Sequence, residues 1–318
     1  MDRLVSVVVP VYNTGRFLKD CLESIVLQTY HNIEILVIND GSTDDSAEII
    51  EQYAKVDSRI RVISNTNHGV SYSRNCGINL AMGDFITFVD SDDIINRYYV
   101  EKMVKAISLD DVSFVVCRYK SFQEGKGSPN GISFGSNKIG ILKNDFYELS
   151  LLNGLLYSPG EKLYRLNLIK KYNIQFDEKL SNGEDQLFNF AYYSLITKYC
   201  LINEELYFYR TRKHSLSKSK TKKSLNDLYI ARNALINFLS KNNVLYAKKI
   251  IAAHCMTDLI DYTSVENDGY KGYKKRVNRV KPYLLAGMVN DDKKSKILRF
   301  LLHYSIIFPV YIFYKLKY

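Results

Sequence analysis

The feature that most constrains this chain is an alternation in its first third: short apolar runs rich in β-branched residues, each followed by apolar residues at helical spacing. Residues 4–9 make the first run, closed by Pro10, and Phe17, Leu18, Cys21, Leu22, Ile25 and Val26 then follow a helical period. Further strands are expected at 33–38, 60–63 and 85–89, with helices at 44–53 and 71–81 between them. A helix over 98–107 and a strand over 112–117 extend the pattern, and the Gly-, Ser- and Asn-rich stretch 125–140 reads as an irregular loop. Runs apolar on both faces and joined by helices predict an α/β fold, a mainly parallel sheet with helices on both sides.

Such sheets bind ligands beyond the carboxyl ends of their strands. Those positions hold Pro10-Val11-Tyr12-Asn13, then Asn39-Asp40-Gly41-Ser42, then Asp90-Ser91-Asp92-Asp93. Carboxylates crowded at a strand end repel one another unless a cation joins them, and two of them with phosphate oxygens suit a hard divalent ion such as Mg²⁺ or Mn²⁺. Taken alone, the same four residues fit helix capping equally well. Asp40 is placed to accept a hydrogen bond from a base or ribose, and Arg74, in the helix opened by His68-Gly69-Val70-Ser71, to meet a diphosphate. Their plainer readings are a good turn and a surface side chain. Neither a GxxxxGK[ST] loop nor a GxGxxG fingerprint occurs, so a nucleotide would bind by other means.

Taken in order, SVVVPVYN, IEILVINDGSTDDS, the spaced set Asn67, Gly69, Ser73, Arg74, Asn75 and Gly77, and GDFITFVDSDD resemble the nucleotide-sugar half of the family 2 inverting glycosyltransferases. The resemblance runs unbroken through roughly the first 110 residues and implies a GT-A fold with a UDP-sugar or related donor at the carboxyl edge of the sheet. It implies that Pro10, Tyr12 and Asp40 hold the base, with Asn13 and Ser91 beside the nucleotide-sugar. Asn67 and Arg74 would serve nucleotide and diphosphate, Asp90 the ribose, and Asp92 the metal, Mn²⁺ or Mg²⁺. Further on, Asn182-Gly183-Glu184-Asp185 resembles the acidic motif whose Asp is the base, although an acidic first helical turn is its plainer explanation. The segment ending in Arg210, followed by His214, resembles the late segment that closes over the diphosphate. His214 is a second candidate metal contact, while a His among Arg212, Lys213 and Ser215 is also an ordinary surface residue. Trp is absent from the chain, which departs from the QxxRW form of processive members and implies transfer of a single sugar.

Charge is unevenly spread. Residues 1–207 carry 21 Lys and Arg against 27 Asp and Glu, a balance of −6, whereas 208–318 carry 23 against 7, a balance of +16. The expected division is a catalytic domain over 1–219, with 1–110 on the nucleotide-sugar side and 111–219 on the acceptor side, and a helical, basic C-terminal region over 220–318. Its apolar stretch 300–314 is interrupted by Pro309 and is too short to span a bilayer. With Lys and Arg on both sides, residues 297–318 suit an acidic membrane interface or, as readily, packing on protein. No nucleic-acid module accompanies the basic residues, so nucleic acid is not expected as a partner. Five scattered cysteines and the absence of a secretory leader pattern predict a reduced, cytoplasmic protein. Together these readings predict a metal-dependent hexosyltransferase, peripheral to the inner face of the membrane. It would use a UDP-sugar, with galactose, N-acetylglucosamine or glucose as the sugar, and a lipid-linked oligosaccharide acceptor of capsule or surface polysaccharide. A dTDP-sugar donor and a silent, membrane-docked partner of an active transferase are the alternatives, and homo- or hetero-oligomers are open.

Overall fold

A computed structural model of the protein describes residues 3–109, 112–125, 129–133, 135–141, 157–212, 221–241 and 274. The expected loop 125–140 is described only in part, and residues 297–318 and His214 lie outside the described residues.

The expected alternation is realised as β1 (Val5–Val11), α1 (Gly15–Val26), β2 (Ile33–Asn39), α2 (Ser46–Val56), β3 (Ile60–Ser64), α3 (Val70–Leu80) and β4 (Phe85–Phe88). Then come β5 (Ile94–Ile95), α4 (Tyr99–Ile107), β6 (Phe114–Gln123), β7 (Lys138–Ile141), β8 (Lys162–Arg165), α5 (Leu166–Lys171), α6 (Glu184–Tyr193), β9 (Lys198–Thr211) and α7 (Lys222–Lys241). Among the described residues the strands join one sheet in the order β3-β2-β1-β4-β8-β6-β9-β5, with β7 also paired to β9.

β1 pairs in parallel with β2 and β4, and β2 with β3, as the sequence predicts. The other half of the sheet is mixed. The short β8 runs antiparallel between β4 and β6, while β6 and β9 are parallel, with a register irregularity around Arg118. Pro10 continues β1 instead of ending it. Its pairing there is with Ile38 of β2 alone, because the ladder to β4 stops at Val8 and Phe88, so the missing N–H leaves no partner unmet on that side.

Strand alternation sorts the two faces. Val5, Val7, Val9 and Val11 of β1 enter one core with Leu18, Cys21, Leu22 and Ile25 of α1 and Val100, Met103 and Ile107 of α4, all fully or almost fully buried. Burying each such aliphatic side chain contributes about 1.5–3 kcal/mol. Val8 points the other way, against α3. A Cβ added to Gly77 would lie 2.3 Å from Val8 Cγ1, so the missing side chain is what lets α3 settle on the sheet. That close approach fixes where α3 delivers Arg74.

The chain divides into two compact units, residues 1–179 with 184–215, and 180–183 with 216–318. In the second, Thr221 and Ser224 exchange hydrogen bonds at the start of α7, Ser224 N–H to Thr221 Oγ1 at 3.1 Å and Thr221 N–H to Ser224 Oγ at 3.0 Å, a reciprocal cap. Asp227 accepts from both the backbone N–H and the hydroxyl of Ser181. No described helix is long and apolar enough to cross a membrane.

Replacing Gly77 by Ala should lower stability by about 1–3 kcal/mol through overpacking, although Ala favours a helix by about 1 kcal/mol. Urea unfolding of Gly77→Ala, alone and with Val8→Ala, checks this. Gly77→Ala should cost less in a Val8→Ala background than in the parent, and a Gly77→Ala protein as stable as the parent would contradict the packing.

Candidate active site

The carboxyl ends of β1, β2 and β4 and the N-terminus of α3 meet on one edge of the sheet. After β1, Tyr12 is 45% exposed and Asn13 adopts the left-handed region at φ 50°. The Asn13 N–H donates to Ser42 Oγ at 3.1 Å and its Oδ1 accepts the Thr43 N–H at 2.8 Å, stitching the first loop to the second. Asp40 is buried at 2% exposure, and its two oxygens accept the backbone N–H groups of His68 (2.9 Å) and Gly69 (2.7 Å). Its carboxylate therefore braces the turn into α3, where Gly69 takes φ 97°, a conformation natural to glycine. Asn67 stands exposed on the same turn.

Arg74 is the centre of the edge. Its side chain is 4% exposed, one amino group donates to Asp90 Oδ1 at 2.8 Å and the other to Asp185 Oδ1 at 2.6 Å, and Glu184 Oε1 lies 3.7 Å away. Burial works against its charge, but Asp185, Asp90 and Glu184 outweigh that and strengthen its hold on the proton. Asp185, at the first turn of α6, is pushed well above the usual carboxylate range by burial and by Glu184 and Asp90, against the opposing pull of Arg74. Residues 16 and 111 positions away from Arg74 thus share one guanidinium.

The Asp90-Ser91-Asp92-Asp93 segment divides into distinct tasks. Asp90 keeps a third of its side chain exposed and turns to Arg74. Ser91 is buried and its Oγ accepts the Thr14 hydroxyl at 2.8 Å. Asp92 meets Arg212 at 2.6 Å and is raised by burial and by its neighbour Asp90. Asp93 is 1% exposed, accepting the Tyr207 hydroxyl at 2.7 Å and the Arg210 N–H at 2.8 Å. It fastens β9 to the end of β4.

Arg210 itself is buried between the rings of Phe17 and Phe122, at 5.1 and 4.7 Å, and donates to Asp20 and to the carbonyl of Asp92. The sequence reading passes over Arg212 except as a neighbour of His214, yet it is Arg212 that faces the Asp92 carboxylate. Alternation along β9 is the signal that finds it, since 208, 210 and 212 fall on one face. Among the described residues no three His, Cys, Asp or Glu side chains converge on one point. Asp92, paired with Arg212 through one oxygen, is a hard donor that suits Mg²⁺ or Mn²⁺ when phosphate oxygens complete the shell.

The sequence profile of glycosyl transferase family 2 matches residues 6–172. The chain belongs to that family. Glycosyltransferase GlyG of Streptococcus pneumoniae is 33% identical over 231 residues, covering 69% of this chain and 75% of GlyG. Glycosyltransferase GlyA of the same organism is 39% identical over 76% of this chain, but the match spans only 35% of GlyA's length. Among solved structures, residues 1–349 of Staphylococcus aureus TarS, in complex with UDP-GlcNAc, align with a TM-score of 0.69 at 24% identity, covering 94% of this chain and 86% of that one. The fold is therefore GT-A-like.

Replacing Arg74 by Met should destabilise this family 2 protein by about 3–5 kcal/mol, because it leaves carboxylates crowded without their counter-charge. The value should fall near the lower end, since Asp90 and Asp185 keep 32% and 26% exposure. Chemical denaturation measures it, and a loss below about 1 kcal/mol would contradict a buried charge centre.

Proposed function

We propose that this protein transfers a single hexose from a UDP-sugar, with inversion, to a lipid-linked or other glycan acceptor in bacterial capsule or surface polysaccharide synthesis. The observation that carries the reading is the sharing of Arg74 between Asp90, at the end of the donor-side strand, and Asp185, at the head of α6. Two carboxylates meet one buried guanidinium in a chain of glycosyl transferase family 2. The UDP-GlcNAc complex of TarS supports a UDP-sugar as the donor class.

In this reading Pro10, Tyr12, Asn13 and Asp40 frame the base, Asp40 by fixing the turn of Asn67. Asp90 and Ser91 face the ribose side, and Asn67, Arg74 and Arg210 line or support the diphosphate region. Asp185 Oδ1 is held by Arg74, so Oδ2 takes the proton of the acceptor hydroxyl as that oxygen attacks the anomeric carbon. The bond from that carbon to the diphosphate oxygen breaks with its electron pair leaving on the nucleotide. Burial, which raises Asp185, makes it a better proton acceptor than an ordinary carboxylate. A divalent ion, Mn²⁺ or Mg²⁺, held by Asp92 with His214 as a second contact, would supply neutralising charge for the departing diphosphate. Arg212, which pairs with Asp92, would share in that task. The basic C-terminal region would hold the enzyme peripherally at the acidic inner face of the membrane, beside a lipid-linked acceptor.

Replacement of Asp185 by Asn should leave UDP affinity within about threefold and cut turnover about 10²–10⁴-fold. Asp92→Asn should abolish the gain in UDP affinity on adding Mn²⁺. Titration of UDP, dTDP and GDP by thermal shift, each with Mn²⁺ and with EDTA, measures both binding effects. Metal-dependent stabilisation by UDP is the expected result. Preference for dTDP would move the donor class, and stabilisation by none would point to a silent partner.

A further inference from the structure

We infer that Asn75 is a positioning residue. By clamping the chain around Phe176 it fixes an aromatic plate that holds Arg74 and the head of α6 in register, and so sets the place of Asp185. The inference rests on the reading of Asp185 as the base.

Asn75 follows Arg74 on α3, and its side-chain amide is fully engaged. Its Oδ1 accepts the Phe176 N–H at 2.8 Å, and its Nδ2 donates to the Phe176 carbonyl at 2.9 Å and to Glu178 Oε1 at 2.9 Å. The amide thus pairs with both backbone groups of one residue, as a neighbouring strand would. A side-chain amide satisfies this geometry. Asp would set a carboxylate against the Phe176 carbonyl and the Glu178 carboxylate, and Ala would leave buried backbone groups unmet.

The residue so clamped is central to the packing beneath the site. Phe176 is 2% exposed and lies with the Arg74 guanidinium 5.2 Å from its ring centroid. It stacks on Phe188 of α6 at 4.0 Å with an interplanar angle of 4°. Phe88, two positions before Asp90, meets Phe176 and Phe188 edge-on at 5.4 and 5.8 Å. Asp90, Arg74 and Asp185 therefore stand on elements joined through one plate, and Asn75 is the hydrogen-bonded fastening of that plate. A guanidinium displaced from Phe176 would slacken its bond to Asp185. The charged groups acting on Asp185 are Arg74 from α3, Glu184 from α6, Asp90 from the end of β4 and Lys162 from β8, and Arg74 is first among those that lower it. Loss of alignment should therefore raise the pH at which Asp185 deprotonates.

The test uses the full chain and compares Asn75→Ala, Asn75→Asp, Phe176→Leu, Glu178→Gln and Asp185→Asn. The Asp185 carboxyl is titrated by ¹³C NMR, assigned by its loss in Asp185→Asn, and UDP with Mn²⁺ is the binding probe. In Asn75→Ala, Asn75→Asp and Phe176→Leu the Asp185 midpoint should rise by about one unit or more, with the acid limb of kcat moving in the same direction. Turnover should fall about 10–100-fold while the UDP Kd stays within about twofold. Glu178→Gln, which keeps both bonds to Phe176, should behave as the parent. Phe176→Leu retains the Asn75 clamp and decides the matter if the Asn75 variants do not fold. A folded Asn75→Ala or Phe176→Leu protein with the parent midpoint and kcat overturns the inference, as does a loss of UDP affinity in step with kcat. Parent-like turnover in Asp185→Asn would instead remove the base assignment, a separate failure.

Discussion

A guanidinium at 4% exposure loses nearly all of its hydration, and it is tolerable only where carboxylates and aromatic surface replace the water. Arg74 has both: Asp90 and Asp185 as hydrogen-bonded partners, Glu184 within 4 Å, and the face of Phe176 beneath it. The converse also holds, because the carboxylates at the end of β4 and the head of α6 would repel one another without it. The end of β4 and the helix that bears Asp185 are thereby made interdependent. The family profile covers residues 6–172, and Asp185, which lies beyond it, is joined to that part by this cation and by the packing of Phe188 on Phe88.

Around that centre the carboxylates separate into bracing and exposed groups. Asp40 and Asp93 are buried and spend their oxygens on backbone N–H groups and a tyrosine hydroxyl, which shapes loops. Asp90, Asp92 and Asp185 retain an oxygen and partial exposure, which leaves them able to meet a ligand. The distinction follows from environment, not residue type. Tyr207 illustrates the cost of bracing, since burial and the adjacent Asp93 make its hydroxyl proton much harder to remove. That keeps it a donor to Asp93 at ordinary pH.

Much of the parallel half of the fold is readable from sequence because each strand is a continuous apolar run and each helix carries a period. The boundaries moved where local rules met tertiary context. Pro10 stays within β1 because its neighbour β4 has already ended, which no reading of the run alone reveals. The four-residue β8 is too short and too polar to announce itself, yet its insertion antiparallel between β4 and β6 is what makes the sheet mixed. In the site, the motif residues were legible as a list but their partners were not. The bond between Arg74 and Asp185 joins positions 111 apart, and the clamp between Asn75 and Phe176 positions 101 apart, distances over which no periodicity operates.

Arg74 bonds both the end of β4 and the head of α6, and a double-mutant cycle on unfolding free energy measures their coupling most directly. Arg74→Met, Asp185→Asn and the pair would be compared with the parent by urea denaturation. Coupling of at least about 1.5 kcal/mol, within the range seen for residues in one charge network, is the predicted result. Additivity to within about 0.5 kcal/mol would mean that the two residues are merely adjacent, and the account built on their pairing would fail.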